Sequence, residues 1–345
     1  MKGYKIMKTI IVTEPKNVKV IETEKPVRKP GEALLKVLYG GICGSDLGTY
    51  RGTFAYADYP RIPGHEFSAE IVEIDENEFG LKPGMVVTAN PYMNCTTCYS
   101  CQRGLVNCCE HNETLGCQRD GAFSEYFTMP IERLYDGKGL SAKVLAVIEP
   151  FCISYHGISR ADVQPGNKVL VIGAGTIGTL AAVAAKAKGA EVYIADVAAK
   201  KVDYAVKTFG LAGGIVNEGD DAFLERCMEV TNQQGFDVAV EAVGRPSTFQ
   251  NCIDAAAFGG KVVLIGVGKQ NLDFNFTLIQ KKELNIFGSR NSLKKDFLEL
   301  IDLVKSGAVD LEKIITDEYT VDNAPQAFED FDKNAANMLK VVIKF

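Results

Sequence analysis

The sequence predicts an α/β protein with an N-terminal β domain followed by a doubly wound parallel sheet. Roughly the first 130 residues carry short β-branched or apolar runs separated by Pro, Gly and charged residues, a pattern typical of a barrel or sandwich. Strand and helix patterns then alternate, which favours a parallel sheet covered by helices. The tail after Ser292 breaks this alternation, so we expect it to return to the first domain. The predicted domains are therefore 1–153 with 293–345, and 154–292.

The predicted elements follow the chain in that order. The early strands are expected at 9–12, 18–21, 34–38, 67–74 and 85–89, with a turn at Pro83-Gly84. Residues 145–158 have helical spacing interrupted by Pro150. Later strands are expected at 168–172, 191–195, 214–216, 236–240, 261–265 and 284–287, and the helices between them at 176–188, 198–209, 222–230 and 246–257. The tail predicts helices at 294–305 and 324–331 and a last strand at 340–345.

Composition narrows the function class. A net charge of −6 gives no basic surface for nucleic acid, and there is no apolar run of the ~20 residues that a membrane span needs. The N-terminus lacks the pattern of a signal peptide, which favours a cytoplasmic protein. In a reducing compartment, clustered members of the ten cysteines indicate metal ligands rather than disulfides.

A glycine-rich turn predicts a dinucleotide site. Gly173-Ala174-Gly175-Thr176-Ile177-Gly178 follows a predicted strand and opens a predicted helix. The glycines allow a tight turn, close approach to a pyrophosphate and close helix packing, while the helix N-terminus attracts phosphate. Asp196 ends the next strand, where a carboxylate accepts from a ribose hydroxyl and repels a 2′-phosphate, so NAD is favoured over NADP. Lys200 and Lys201 are interpreted mainly as a solvated helix start.

Four cysteines predict a structural zinc site. Cys95, Cys98, Cys101 and Cys109 lie on one short segment, and four thiolates fill a tetrahedral zinc without leaving an open position. Cys108 is equally possible as the fourth ligand on spacing alone.

The stretch from Cys43 to Glu66 carries a second set of zinc donors. It contains Cys43-Gly44-Ser45-Asp46 and Gly64-His65-Glu66. Thiolate and imidazole are good zinc ligands, and a hydroxyl can carry a proton. Taken alone, Ser45 fits a turn hydroxyl and Asp46 a helix cap as well as catalytic roles.

Together these motifs resemble the zinc-dependent medium-chain alcohol dehydrogenase family. The resemblance rests on the two cysteine motifs, the glycine turn with Asp196, and four further segments: Gly64-His65-Glu66, residues 120–126, Ile148-Glu149-Pro150 and residues 288–291. It implies a GroES-like catalytic β-barrel domain joined to a Rossmann domain, and it selects Cys109 over Cys108. The last two segments resemble the polyol and sugar-acid branch, which includes L-galactonate and L-gulonate 5-dehydrogenases, sorbitol dehydrogenase and threonine dehydrogenase.

The resemblance also implies site residues. A catalytic zinc would be held by Cys43, His65 and either Glu66 or Glu149, with Ser45 accepting the alcohol proton and Asp46 holding the second nitrogen of His65. Gly48 stands where many relatives have a proton-relaying histidine. NAD would contact the glycine turn and Asp196 together with Lys201, Ala242, Val267, Ser289 and Arg290. Arg51, Arg119 and Phe123 are candidates for substrate contact, and Arg290 is a further one.

The expected function is NAD-dependent oxidation of a secondary alcohol of a sugar acid or polyol to a ketone. One alternative keeps the enzyme but changes the substrate to L-threonine or a small diol. Another is a dinucleotide-binding sensor without chemistry. Relatives in this family imply a homodimer or homotetramer and a small-molecule alcohol as the partner.

Overall fold

The computed structural model describes residues 6–56, 58–219 and 222–345. The chain forms two compact units, one of Met1–Glu149 with Leu293–Phe345 and the other of Pro150–Ser292. The first five residues of the predicted first domain lie outside the described part. Within the described residues, no helix has the length and apolar character needed to cross a membrane.

The first half of the chain is rich in strands. Its strands are β1 Ile6–Glu14, β2 Asn17–Glu24, β3 Glu32–Gly41, β4 Glu66–Glu73, β5 Val86–Ala89, β6 Tyr92–Met93, β7 Glu113–Thr114, β8 Tyr126–Pro130 and β9 Leu134–Asp136. Its helices are α1 Gly44–Arg51, α2 Tyr99–Gln102 and α3 Ala142–Leu145, followed by α4 Ile148–Arg160. Pro150 occupies the first turn of α4, where its missing N–H has no helical partner to lose, so the helix is not interrupted there.

The middle of the chain alternates strictly between strands and helices. The elements are β10 Lys168–Ile172, α5 Thr176–Ala187, β11 Glu191–Asp196, α6 Ala199–Phe209, β12 Gly213–Val216, α7 Ala222–Val230, β13 Phe236–Glu241, α8 Pro246–Ala255, β14 Ala256–Leu264, α9 Thr277–Lys281 and β15 Asn285–Gly288. The six strands form one parallel sheet in the order β12-β11-β10-β13-β14-β15. This is the predicted doubly wound sheet, including its sixth strand.

The tail adds α10 Lys294–Lys305, β16 Ile315–Thr320, α11 Ala324–Lys333 and β17 Lys340–Lys344. It returns to the N-terminal half as predicted, since β17 pairs antiparallel with β3. The resulting sheet runs β16-β17-β3-β4-β5-β9, and β8 also pairs with β3. Apolar residues from both ends of the chain share one core cluster, in which Phe328 and Val341 of the tail join Ile10 and Ile42.

The start of β14 differs from the sequence prediction. The strand begins at Ala256, which pairs with Phe236, whereas the sequence predicted helix as far as Ala257 and a strand only from Lys261. Gly235 allows this early turn into the sheet, because a Cβ there would lie 2.8 Å from the backbone nitrogen of Ala257. The backbone approach requires glycine, and the helix ends at Ala255, two residues earlier than its apolar pattern indicates.

Candidate functional site

The ends of β3 and β4 bring three metal-binding side chains together. Cys43 lies just after β3 and directly before α1, while His65 directly precedes β4 and Glu66 begins it. One donor atom from each of the three lies within 4.8 Å of the others. Gly41 pairs with Glu66 across the two strands, and a Cβ at Gly41 would come within 2.3 Å of Glu66 Oε2, so glycine makes room for this carboxylate.

Asp46 supports this cluster in a way that differs from the prediction. Its carboxylate accepts hydrogen bonds from the backbone N–H of Cys43 at 2.9 Å and of Gly64 at 3.2 Å. The predicted hydrogen bond to the second nitrogen of His65 is absent, and His65 Nδ1 is buried without a partner among the described residues. Asp46 sits in the first turn of α1, so its carboxylate turns back to the Cys43 N–H and fixes the two segments that carry the ligands.

A buried lysine holds Glu66. Lys340, the first residue of β17, donates to Glu66 Oε1 at 2.9 Å, to Glu66 Oε2 at 2.6 Å and to the Ile42 carbonyl at 3.1 Å. The side chains of Lys340 and Glu66 are only 3% and 1% exposed. Burial lowers the pKa of Lys340, but the charges of Glu66 and Cys43 outweigh burial and leave it raised. The sequence reasoning missed Lys340, which reads as one polar residue in a terminal strand.

Glu149 lies in the same buried region with a different partner. Its Oε1 accepts a hydrogen bond from the Tyr92 hydroxyl. Burial raises the pKa of Glu149 to about 7, while the charge of His65 opposes that rise. Tyr92 is the second residue that the sequence reasoning did not identify.

The electrostatics of this cluster favour a cation. Burial lowers the pKa of His65. The charge of Cys43, hydrogen bonds with Cys117 and Cys43 and the charge of Asp46 raise it by more, so the pKa of His65 is well above its ordinary value. The thiol and carboxylate around His65 therefore favour a cation at this imidazole. A divalent metal would take the place of a proton there, because a ligating histidine is neutral. The thiol, imidazole and carboxylate donors and the unpartnered His65 Nδ1 fit zinc.

Two nearby positions bear on proton transfer. Ser45 Oγ is buried and has no hydrogen-bond partner among the described residues, so it can still donate or accept one. Gly48, where the family resemblance leads one to expect histidine, lies against Phe54, whose Cβ would be 3.1 Å from a Cβ at this position. A larger side chain there would have to displace Phe54.

The cysteine quartet forms a second cluster. One sulfur each from Cys95, Cys98, Cys101 and Cys109 lies within 4.8 Å of the others, and none of the ten cysteines is bridged. The Cys95 N–H donates to Cys109 Sγ at 3.2 Å, and the Cys98 N–H donates to Cys95 Sγ at 3.3 Å. The backbone of Cys98, with Thr97, lowers the pKa of the Cys95 thiol to about 6. Such N–H donors stabilise thiolates, so the quartet fits a tetrahedral zinc. Cys108 is outside it.

The glycine turn has the shape that a pyrophosphate needs. Gly173 has a φ of +110°, which favours glycine, and a Cβ at Gly178 would lie 1.7 Å from the Gly173 carbonyl oxygen. Gly175 precedes α5, and nothing lies within 4 Å of where its Cβ would be. This open space at a helix N-terminus fits a bound phosphate group. Thr176 and Ile177 form the first turn of α5.

Asp196 is tied to the glycine turn. Its carboxylate accepts hydrogen bonds from the N–H of Ala174 at 2.7 Å and of Ala198 at 2.9 Å. Burial lowers the pKa of Lys201, and the charge of Asp196 opposes this effect. The backbone therefore fixes the carboxylate at the end of β11, where it fits a ribose hydroxyl.

The remaining predicted dinucleotide contacts follow the neighbouring strands. Ala242 follows β13, Val267 lies on the loop after β14 and is 88% exposed, and Ser289 and Arg290 follow β15. A groove of about 630 Å³ begins at the residue after Ala242 and is lined by Val243, Gly244, Arg245, Pro246, Ser247, Lys269 and Gln270.

Glu241 was also missed by sequence reasoning. It is buried and accepts from the N–H groups of Val243 and Gly244 and from the Thr248 hydroxyl, so it shapes one wall of the groove.

The three residues predicted to contact substrate lie in different surroundings. Phe123 has no exposed surface and packs in the core, where it touches the position of a Cβ at Gly64, so the prediction of substrate contact is replaced by a packing role. Arg51 forms an ion pair with Asp332. Arg119 is paired with Glu113 at 3.5 Å, with both side chains about half exposed.

Comparison with known proteins agrees with this geometry. Residues 29–138 match the alcohol dehydrogenase GroES-like domain, and residues 176–306 match the zinc-binding dehydrogenase domain. L-galactonate-5-dehydrogenase of Escherichia coli K12 is 33% identical over 98% of this chain and 99% of its own. Sorbitol dehydrogenase of Halalkalibacterium halodurans is 33% identical over 93% of this chain and 95% of its own.

Among solved structures, the alcohol dehydrogenase RspB of Escherichia coli CFT073, crystallised with NADH, superposes with a TM-score of 0.91 and 29% identity. The superposition covers 99% of this chain and 100% of RspB. The two domain matches and the full-length relatives agree with the GroES-like and Rossmann domains that the sequence predicts. The chain therefore belongs to the zinc-dependent medium-chain alcohol dehydrogenase family and is an NAD-dependent oxidoreductase.

Proposed function

We propose that this protein oxidises a secondary alcohol of a sugar acid to a ketone, with NAD as the hydride acceptor. The observation that carries the proposal is the cluster of half-buried Cys43 with buried His65 and Glu66, in a chain that matches L-galactonate-5-dehydrogenase over nearly its full length. When bound, zinc supplies a Lewis acid that lowers the pKa of an alcohol, and NAD supplies the acceptor for two electrons.

The residues divide the work between ligand binding and proton transfer. Cys43, His65 and a carboxylate would hold the zinc. Oxidation also releases the hydroxyl proton, which ends in water, and the Ser45 hydroxyl relays it by giving up its own proton as it receives the proton of the alcohol, since its buried oxygen has no other hydrogen-bond partner among the described residues. Asp46 keeps the two ligand-bearing segments in register through the N–H groups of Cys43 and Gly64.

Arg119 is our candidate for the substrate carboxylate. Its segment packs closely on the backbone before His65, since a Cβ at Gly116 would lie 2.6 Å from the Gly64 nitrogen. Its pairing with Glu113 is long and exposed, so it is weak and easily exchanged for a substrate carboxylate. The shorter ion pair of Arg51 with Asp332 makes Arg51 the poorer candidate.

A substrate panel tests the reaction. NADH formation is measured with L-galactonate, L-gulonate, sorbitol and L-threonine, and we expect the two sugar acids to give the highest kcat/KM. Cys43→Ser should abolish turnover while NADH binding, followed by fluorescence, is unchanged. Undiminished turnover in Cys43→Ser would contradict the metal assignment, and a clear preference for sorbitol or threonine would contradict the substrate class.

The role of Arg119 has its own control. Arg119→Gln should raise KM for a sugar acid by about tenfold or more, the loss expected for a charge-assisted contact, and leave KM for sorbitol unchanged. Arg51→Gln is the matched variant and should leave both KM values unchanged. Equal effects of Arg119→Gln on charged and uncharged substrates would remove Arg119 from the carboxylate site.

A further inference from the structure

Tyr92 is fixed through both of its backbone polar groups. Its N–H donates to Asn90 Oδ1 at 3.0 Å, and its carbonyl accepts from Arg133 Nη1. The two residues that hold it are joined to each other, since the Asn90 N–H donates to the Arg133 carbonyl at 2.9 Å. Tyr92 and Asn90 are each only 6% exposed. The backbone of Tyr92 therefore cannot shift without breaking two buried hydrogen bonds, whose loss leaves buried polar groups unpaired.

The side chain of Arg133 also reaches the cysteine quartet. Its other terminal nitrogen, Nη2, donates to Asn94 Oδ1, and the Asn94 amide donates to Cys101 Sγ at 3.7 Å. A guanidinium presents its N–H donors in a rigid planar fork, so one side chain sets the spacing of the two acceptors that it binds. Arg133 thus holds Tyr92 at a fixed spacing from Asn94, which in turn contacts a sulfur of the quartet.

Tyr92 connects this arrangement to the buried site in two ways. Its hydroxyl donates to Glu149 Oε1, and Glu149 is close enough to His65 to sense its charge. Its backbone pairs with Thr114 across β6 and β7, and Gly116, two residues later, packs on the backbone before His65. The short strand β6 therefore borders both Glu149 and the segment that lies against the His65 ligand.

We infer that Arg133 is a positioning residue for the oxidation: by holding Tyr92 and Asn94 together, it aims the Tyr92 hydroxyl at Glu149 and links the buried site to the cysteine quartet. The inference deepens the proposed function and rests on it. The contacts run from the quartet to Glu149 within the first compact unit. A buried carboxylate that loses its oriented donor turns toward other partners, so the charge that faces the reacting groups changes position.

A double-mutant cycle on kcat tests this chain of contacts. Tyr92→Phe removes only the hydroxyl and should lower kcat about tenfold, the lower end of the usual effect of residues that orient site groups. Arg133→Met keeps a long side chain without donors and should lower kcat by a similar factor. The double variant should lose no more than Tyr92→Phe alone, because Arg133 acts through that hydroxyl.

Two further variants separate positioning from a general loss of structure. Arg103→Met is the matched control, because Arg103 is exposed in the same quartet segment, where it lies 5.1 Å from the ring centre of Tyr99, and its loss should leave kcat unchanged. Asn94→Ala breaks the arrangement from its other end without removing a charge, so it should also lower kcat. This second variant keeps the inference testable where Arg133→Met fails to fold.

Amide hydrogen exchange gives a readout that needs no substrate. Arg133→Met should speed exchange in peptides that cover residues 90–94 and 113–117, because β6 loses one of the side chains that hold it. Peptides that cover the glycine turn should keep parental rates, and the Kd for NADH should be unchanged, since that turn belongs to the other compact unit. Tyr92→Phe should leave exchange at residues 90–94 at the parental rate, because its backbone contacts remain.

The outcomes separate the inference from the proposed function. Losses that multiply to about a hundredfold in the double variant would mean that the two residues act independently, and would overturn the inference. Parental kcat in Tyr92→Phe, or parental exchange at residues 90–94 in Arg133→Met, would overturn it as well. A parent protein that oxidises none of the substrate panel would instead count against the proposed function, and the exchange measurement would still test the role of Arg133.

Discussion

Two glycines of the same turn have opposite surroundings. Gly178 is packed so closely that a methyl group would overlap the Gly173 carbonyl oxygen, whereas Gly175 faces open space at the start of α5. The first glycine is therefore required by the fold itself. The second is required only if another molecule approaches the backbone there, as a dinucleotide pyrophosphate does.

Alanine at each position should separate these requirements. Gly175→Ala should keep thermal stability within about 1 kcal/mol of the parent but raise the Kd for NADH at least tenfold, because the methyl group fills the phosphate space. Gly178→Ala should lower the free energy of unfolding by about 3 kcal/mol, the upper end of the usual overpacking penalty. Thermal unfolding and NADH fluorescence titration measure the two effects. Unchanged NADH binding in Gly175→Ala would contradict the assignment of this turn.

The sequence predicts site residues whose partners are close along the chain. It misses residues whose partners are distant. The glycine turn, the quartet and the Cys43 and His65 motifs are local, so their spacing alone indicates chemistry. Lys340 lies 274 positions from Glu66, and only the pairing of β17 with β3 brings it to the site. Phe123 shows the converse, because an aromatic residue near site motifs proved to be core.

At the scale of an element, the quartet depends on one short segment around α2. Cys109 is fully buried and its sulfur accepts the Cys95 N–H, while Cys108 is only half buried and lies outside the cluster. The spacing of the cysteines left both open as the fourth ligand. The structure decides between them, since the sulfur of Cys109 lies in the cluster and that of Cys108 does not.

Serine at each cysteine gives a matched comparison. Cys109→Ser should lower the zinc content from two ions per chain to one and lower the thermal unfolding midpoint, because a structural zinc contributes directly to folding. Cys108→Ser should retain two zinc ions and the parental midpoint. Elemental analysis and thermal scans measure both, and zinc loss from Cys108→Ser instead would reverse the assignment.

The strand and helix order shows what periodicity can and cannot predict. All six strands of the parallel sheet were predicted, because buried strands read as continuous apolar runs. The start of β14 was not predicted, since it depends on the close approach of Gly235 to the backbone of Ala257. The exact edges of elements follow tertiary contacts that no local pattern carries.

At the scale of the whole chain, the first unit is assembled from two distant segments. The tail supplies β16, β17 and α11, and Asp332 of α11 pairs with Lys16 after β1 and with Arg51 of α1. The Asp332 side chain is 18% exposed, so this double pair is shielded more than an isolated surface ion pair. It joins the last part of the chain to the first.

Asp332→Asn should therefore weaken this unit in a pH-dependent way. Hydrogen bonds from Lys16 and Arg51 lower the pKa of Asp332 in the folded protein. A lowered folded-state pKa means that the stabilisation is complete above the unfolded-state pKa of about 3.9 and disappears as the pH falls through the folded-state value. At pH 7 we expect Asp332→Asn to lower the free energy of unfolding by about 1 kcal/mol, the upper value for exposed pairs.

The control is an ion pair that joins only neighbouring residues. Asp310 pairs with Lys313 at 3.4 Å, and both side chains are about half exposed, so Asp310→Asn should leave stability unchanged at every pH. Urea unfolding at pH 7 and at pH 3 measures both variants. The stability difference between the parent and Asp332→Asn should narrow at pH 3, where the carboxylate of the parent begins to be protonated. A difference that is the same at both pH values would mean that Asp332 acts through packing rather than through its charge, and that the tail is held to the N-terminal half by its apolar core alone.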